Sequence, residues 1–172
     1  MGMAKKPHKV KLIAGILYND MPAMLKAVSA LKKMFGPTDL ESEPVDFNHT
    51  DYYADEMGAG LKRIFVSFRR PVSLKNIQRV KTRTNRIERV MSRNGKRSVN
   101  IDPGYLDLSK LVLFSTKDYS HRIHLGDGIF AEVTLFYKDS AFNAWPWTYP
   151  DYRTPVYAGI FDSVRRLYRE GR

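Results

Sequence analysis

The chain has 172 residues, 43% hydrophobic and 12% aromatic, a composition that folds into a core and excludes a disordered chain. It has no cysteine, which excludes disulfides and thiolate metal sites, and no apolar run long enough for a membrane-spanning helix. Lysine and arginine outnumber aspartate and glutamate by 29 to 18, a formal net charge of +11, so nucleotides, nucleic acid, acidic lipids or acidic substrates are the favoured partners.

Residues 1–8 read as a flexible basic tail, with one α+β domain over 9–172. The N-terminus lacks the apolar core of a signal peptide, and a cytoplasmic location is expected. Leu12 to Tyr18 is nearly all apolar, as in a strand covered on both faces. Asp20 is placed to cap a helix with Pro22 in its first turn, and Met24, Leu25, Val28, Leu31 and Phe35 recur at helical spacing until Gly36-Pro37. Val45 and Phe47 alternate with Asp46, Asn48 and Thr50, as in a half-buried strand. "LKRIFVSFRR" predicts a further strand. Ser73 is then expected to cap a long helix through about Met91, with Leu74, Ile77, Val80, Ile87 and Met91 inward.

"RSVNIDPGYLDL" predicts a short strand with Val99 and Ile101 inward, broken by a Pro103-Gly104 turn. "KLVLFSTK" is the next strand, and a hairpin follows at "HRIHLGDGIFAEVTL". "AFNAWPWTYPDYR" reads as irregular. Thr154-Pro155 opens a last helix with Tyr157, Ile160, Phe161, Val164 and Tyr168 on one side. The order predicts a ferredoxin-like βαββαβ core with additional antiparallel strands and a C-terminal helix.

The hairpin poses a geometric problem. A three-residue loop, Gly126-Asp127-Gly128, sets Leu125 opposite Ile129, His124 opposite Phe130 and Arg122 opposite Glu132. Ile123, Leu125, Ile129, Ala131, Val133 and Leu135 then share an apolar face. His121 and His124 point to opposite faces and do not form one metal site; further ligands such as His49 and Asp51 would be required. Arg122 with Glu132 reads either as an exposed cross-strand ion pair contributing about 0.2–1 kcal/mol, or as an anion contact with His124 or Glu132 as general acid or base. Asn100 and Asp102 alternate against Val99 and Ile101 and are expected on the same polar face. Tyr105, Trp147, Tyr149 and Tyr152 are candidate aromatic walls.

Between Lys75 and Arg97 stand nine basic residues opposed only by Glu88. Arg79, Arg83, Arg86 and Arg89 are the candidate polyanion contacts of that helix. Asn85, Glu88 and Arg89 lie on nearby helix faces and are expected to turn toward one cleft.

At "TNRIE", "VNIDPGYLDLSKLVLFSTK", "HRIHL", "AEVTL" and "WTYPDYR" the chain resembles a bacterial family catalogued as domain of unknown function 4416, over almost its whole length. The resemblance implies a small, stand-alone cytoplasmic protein and brings no established reaction. Members are sometimes labelled GTP-binding. The chain has no G-x-x-x-x-G-K-[ST] loop, and "STKDY" departs from a guanine-reading N-K-x-D motif at its threonine and in the aspartate spacing.

The leading expectation is a protein that binds a phosphate-bearing ligand, nucleotide or RNA, at a polar sheet face and the basic helix. Arg122, Lys117 and Arg153 would meet the anion, with Asn100, Asn85 and Tyr105 beside it. The second is an enzyme using His124, Glu132 and Asp102 in acid–base chemistry on a phosphorylated substrate. The third is a protein-interaction adaptor. Neither a cofactor nor an oligomeric state is indicated.

Overall fold

A computed structural model describes residues 2–48, 50 and 52–171. In chain order it contains β1 (Lys11–Tyr18), α1 (Met21–Phe35), β2 (Thr38–Glu41), β3 (Val45–Asp46), α2 (Ala54–Met57), β4 (Lys62–Phe68), α3 (Arg79–Met91), β5 (Val99–Leu106), β6 (Lys110–Ser115), β7 (Ile123–Gly126), β8 (Ile129–Lys138), β9 (Ala141–Ala144), a 3-10 turn (Pro150–Arg153) and α4 (Pro155–Glu170).

The strands form one antiparallel sheet of nine, ordered β2-β4-β1-β5-β6-β8-β7, with β3 also on β4 and β9 also on β8. β1 lies at the centre of its half, and all of its residues are buried, as its unbroken apolar run predicts. Leu12, Ala14, Ile16 and Tyr18 pack with α1 and α3 on one face. Ile13 packs on the other face with Phe65, Leu113 and the α4 residues Tyr157, Phe161 and Val164. Each such large apolar side chain contributes about 1.5–3 kcal/mol by leaving water. The predicted caps form: the Asp20 carboxylate accepts from Ala23 N–H at 3.0 Å, and the Thr154 hydroxyl from Tyr157 N–H at 3.4 Å.

Several expectations are corrected. α3 begins at Arg79, not after Ser73, because Asn76 takes a left-handed φ of 58° and interrupts the turn. The strand expected over 45–50 shrinks to Val45–Asp46. Phe47 N–H makes one further bond, to the Leu61 carbonyl at 2.8 Å, and its side chain packs with Leu17, Met57 and Leu61, while Thr38–Glu41 takes the edge beside β4. The predicted irregular segment at 141–153 contributes β9 before its 3-10 turn.

The hairpin is tighter than predicted. His124 pairs with Phe130, but Gly126 pairs with Ile129, so Leu125 is a bulge. Asp127 and Gly128 form the turn with φ of 55° and 69°, the pair of left-handed residues that a type I′ hairpin turn requires. A second irregularity, between the Leu111–Leu135 and Val112–Val133 pairs, turns Leu135 to the α4 side while Val133 stays on the α1/α3 side. The expected single apolar face is therefore divided between the two cores, and Ile123 is left 73% exposed.

β5 does not break at Pro103-Gly104; it continues to Leu106. Proline lacks an N–H and is confined to edges and bulges. Along an antiparallel strand, residues 101 and 103 direct their backbone groups to the same side. At Ile101 that side is turned away from β1, and Pro103 follows it. β6 pairs with β5 only at Gly104, Tyr105 and Leu106. Pro103 thus sits where the two strands begin to part. Gly104 marks the last close approach: a Cβ there would stand 2.1 Å from the Val112 carbonyl oxygen. Gly104→Ala is therefore expected to destabilise the protein by about 3 kcal/mol, read as a lower midpoint in urea unfolding; an unchanged midpoint would contradict this packing.

Candidate functional site

The edge of β5 left by β6 is closed by side chains. Glu88 of α3 accepts the Ile101 N–H at 2.6 Å, and the Lys81 ammonium donates to the Ile101 carbonyl at 2.8 Å. Lys81, Thr84 and Glu88 recur on one helix face and are all buried. Lys81 and Glu88 stand in for the strand that has peeled away, because a buried N–H and C=O left unpaired would each cost about 1–3 kcal/mol. Burial pushes the Glu88 carboxyl above its usual range; Lys81 and the Ile101 N–H pull the other way, and the charge of Asp102 adds to the rise.

The parting strands leave a cleft with two lobes. One, about 220 Å³, has Lys81, Asn85, Glu88, Arg97 and Asn100 on one side and Phe114, Ser115 and Thr116 on the other. The other, about 330 Å³, runs toward Phe47, Arg63, Tyr119 and Asp151. Both are bounded by Asp102, Lys117, Tyr52, Tyr53 and Tyr149. Together they fall within the roughly 300–1,000 Å³ of small-molecule pockets.

Each wall is held from behind. Arg63, 3% exposed, donates to Asp151 and, at 3.3 Å, to Asp102, and its guanidinium lies 4.7 Å from the Phe47 ring centroid. Arg97 donates to both Glu56 oxygens, at 2.7 and 2.6 Å, and to Asn100 Oδ1 at 2.6 Å. Lys117 donates to the Tyr52 hydroxyl at 3.1 Å, its ammonium 4.5 Å from that ring's centroid. The Tyr53 phenol is shifted upward by burial, which keeps it a neutral donor. Asn100 is 4% exposed, and its Nδ2 has no partner.

Of the residues singled out from sequence, Asp102, Asn100, Asn85, Glu88, Lys117 and Tyr149 meet in this cleft, and Tyr152 lines its second lobe. The remaining candidates do not. His124 is exposed, its ring 5.1 Å from Phe130. His121, not His124, meets Glu132, at 3.1 Å, between the rings of Tyr119 and Trp147. The strand pattern ends at Ile123: Arg122 N–H donates to the Tyr119 carbonyl in a turn that folds His121 back. His49 and Asp51 lie outside the described residues.

Arg122 does pair with Glu132, at 2.8 Å, but the pair is buried, with side chains 3% and 2% exposed, rather than an exposed cross-strand bridge. Arg122 also donates to the Ser115 hydroxyl and Lys117 carbonyl, each at 2.9 Å, and to the Tyr149 hydroxyl at 3.0 Å. With these bonds made it acts as a clamp that positions Lys117 and Tyr149. Glu132 stays behind that clamp, outside the cleft lining. Tyr105 belongs to the opposite face of β5, where its ring packs on Phe114. Arg153 ties its guanidinium to the carbonyls of Thr148 and Pro146, each at 2.8 Å, and so shapes the aromatic loop.

The basic helix is divided. Lys81 and Glu88 face inward, whereas Arg79, Arg83, Arg86 and Arg89 are exposed on the far side. Arg89, one turn beyond Asn85, is exposed and does not line the cleft with Asn85 and Glu88. Sequence alone does not single out Arg63, Ser115 or Tyr53, and it places Lys81 and Arg97 only within the basic run of residues 75–97. The signal for Lys81 was its spacing to Thr84 and Glu88, and for Arg63 its place inside a strand covered on both faces.

The model of the family described as a domain of unknown function (DUF4416) matches residues 8–168, and the chain belongs to that family. No curated protein and no solved structure matches it.

Two measurements test the closure of the β5 edge by Lys81 and Glu88. Glu88→Ala strands the Ile101 N–H and the buried Lys81, and should cost about 3 kcal/mol in denaturant unfolding. Because the Glu88 carboxyl is raised in the folded state, its favourable contribution is present below the unfolded carboxyl range and is lost as pH rises through the folded value. Subtracting the stability of Glu88→Gln from that of the parent across pH 4–8 should therefore leave a difference that falls with rising pH. A flat or rising difference would refute the assignment.

Proposed function

We propose that this member of the DUF4416 family binds a small phosphate-bearing ligand of the nucleotide class in the cleft between β5 and β6. The observation that carries the reading is Asn100 Nδ2, a buried donor without a partner beside a cavity lined by polar side chains. A ligand acceptor or a water is what such a group requires. Lys117, exposed at the mouth, supplies the charge for a phosphate. Tyr52 and Tyr149, 62% and 45% exposed, offer ring faces to a base. Asp102 and Glu88 are acceptors for ribose hydroxyls or base N–H groups. Guanine nucleotides belong to the class, although no phosphate-cradling loop of the familiar kind is present. An RNA chain finds its charge elsewhere, on the outer side of α3.

The connection β1-α1-β2-β4-α3-β5, with spatial order β2-β4-β1-β5, supports reading this half as a ferredoxin-like unit, with β6 to β9 as its extension. We read residues 9–172 as one domain on the strength of the continuous sheet. A cytoplasmic, bacterial setting accords with the cysteine-free sequence and the family resemblance. Among the described residues no helix is long and apolar enough to cross a membrane.

One observation favours a second reading, acid–base chemistry on the bound phosphorylated ligand. Glu88, with its raised carboxyl, and Asp102 line the same lobe. That chemistry would rest on Glu88 as acid and Asp102 as base, rather than on His124 and Glu132.

Thermal unfolding with AMP, GMP, ATP, GTP or inorganic phosphate tests the binding. At a hundredfold excess over Kd a nucleotide stabilises the fold by about 2.7 kcal/mol, a shift of several degrees. Asn100→Asp keeps the acceptor for Arg97 and removes the donor; together with Lys117→Gln it should weaken binding about tenfold. No shift with any nucleotide, or equal shifts in the variants, would contradict the proposal.

A further inference from the structure

The outer face of the helical layer has an unusual charge pattern. α1 contains no acidic residue, and the single acid of α3, Glu88, is buried against Ile101. Arg79, Arg83, Arg86 and Arg89 fall within about a third of the helix circumference at 100° per residue, on the side opposite Lys81 and Glu88. All four are exposed. Among the described residues none has an ion pair or a side-chain hydrogen bond, whereas the inward cations Lys81 and Arg97 are engaged. A solvated helix face ordinarily mixes signs, so four unpaired guanidinium groups in a row are not what solubility alone requires.

We infer that this face binds the phosphodiester backbone of duplex nucleic acid, as a surface separate from the cleft. The row from Arg79 to Arg89 is about 15 Å long, at 1.5 Å per residue. That length covers about four phosphate steps along one strand of a duplex. The planar forks of arginine match phosphate oxygens in pairs, which lysine does not do. No aromatic side chain occurs in α3. Single strands are held by stacking their bases on aromatic rings, so this face suits a backbone whose bases are already paired. Beside it, between α1 and the end of α3, lies an open hollow of about 510 Å³ that mixes Lys26, Arg93 and Lys96 with Asp20 and Glu56, so the single-sign surface is the arginine row itself. Contacts to phosphate position a protein without reading sequence, so the binding is expected to be independent of sequence.

The test is fluorescence anisotropy of the intact protein with labelled RNA and DNA duplexes, the corresponding single strands, and vesicles containing phosphatidylglycerol, each over a range of salt. The expected result is binding to duplexes with a log–log salt slope of about 3 to 4, from about 0.9 per phosphate contact. In Arg83→Glu/Arg86→Glu the affinity should fall at least tenfold and the slope by about two. The milder Arg79→Gln/Arg83→Gln/Arg86→Gln should weaken duplex binding while keeping the nucleotide-dependent thermal shift, and Lys117→Gln should leave duplex binding unchanged. Tighter binding to single strands, binding to vesicles without duplex binding, or duplex affinity indifferent to the arginine substitutions would overturn the inference. Since the cleft is read by nucleotide thermal shift, either proposal can fail without the other.

Discussion

A strand edge inside a protein must find partners for its N–H and C=O groups, and that constraint organises this molecule. At Ile101 the partners are not a neighbouring strand but Lys81 and Glu88 of α3. Because a helix supplies both bonds, β6 is free to diverge after Gly104. Pro103 assists by having no N–H to offer on that side. The separation exposes Asn100 and Asp102 to a cavity instead of to a strand. Arg63, Arg97 and Arg122 then fix the walls, each by more than one hydrogen bond, so the cleft is shaped before any ligand arrives.

Much of this architecture is legible in the sequence because it follows from periodicity and caps. The fully apolar run of β1, the Asp20 and Thr154 caps, the alternation at Val99 to Asp102 and the stripe of α4 each express a local rule. The misplaced features depend on non-local compensation. Pro103-Gly104 reads as a turn because local propensity cannot reveal that α3 satisfies the adjacent edge. Ser73 reads as a cap because nothing nearby announces the left-handed Asn76. Asp102, Asn100, Asn85, Glu88 and Lys117 meet in the cleft from β5, α3 and the end of β6, with Tyr149 from the aromatic loop. His124 and Glu132 fail for a different reason: extending strand geometry back through Arg122 reverses the histidines. His121 takes the contact predicted for His124, and Arg122 becomes a buried support.

Helix α3 gives the protein two chemically distinct sides. Its inner side uses charge for structure, with Lys81 and Glu88 bound to the carbonyl and the N–H of one residue, Ile101, and Glu88 raised by burial. Its outer side leaves four arginines free for phosphate. The net charge of +11 therefore does not describe a uniformly basic surface. The cleft carries Asp102 and Glu88 as well as Lys117, a mixed environment suited to a small polar ligand with both hydroxyl and anionic groups. The outer face carries a single sign, suited to a long polyanion.

A ¹H–¹⁵N NMR titration of the intact protein with a nucleotide reads out whether the gap held open by α3 takes a ligand. Shifts are expected at the Asn100 and Asn85 side-chain amides and at the backbone amides of Asp102, Ser115, Thr116 and Lys117, with the Arg79–Arg89 outer face silent. Shifts confined to that outer face, or none at saturating nucleotide, would contradict a ligand site in the gap.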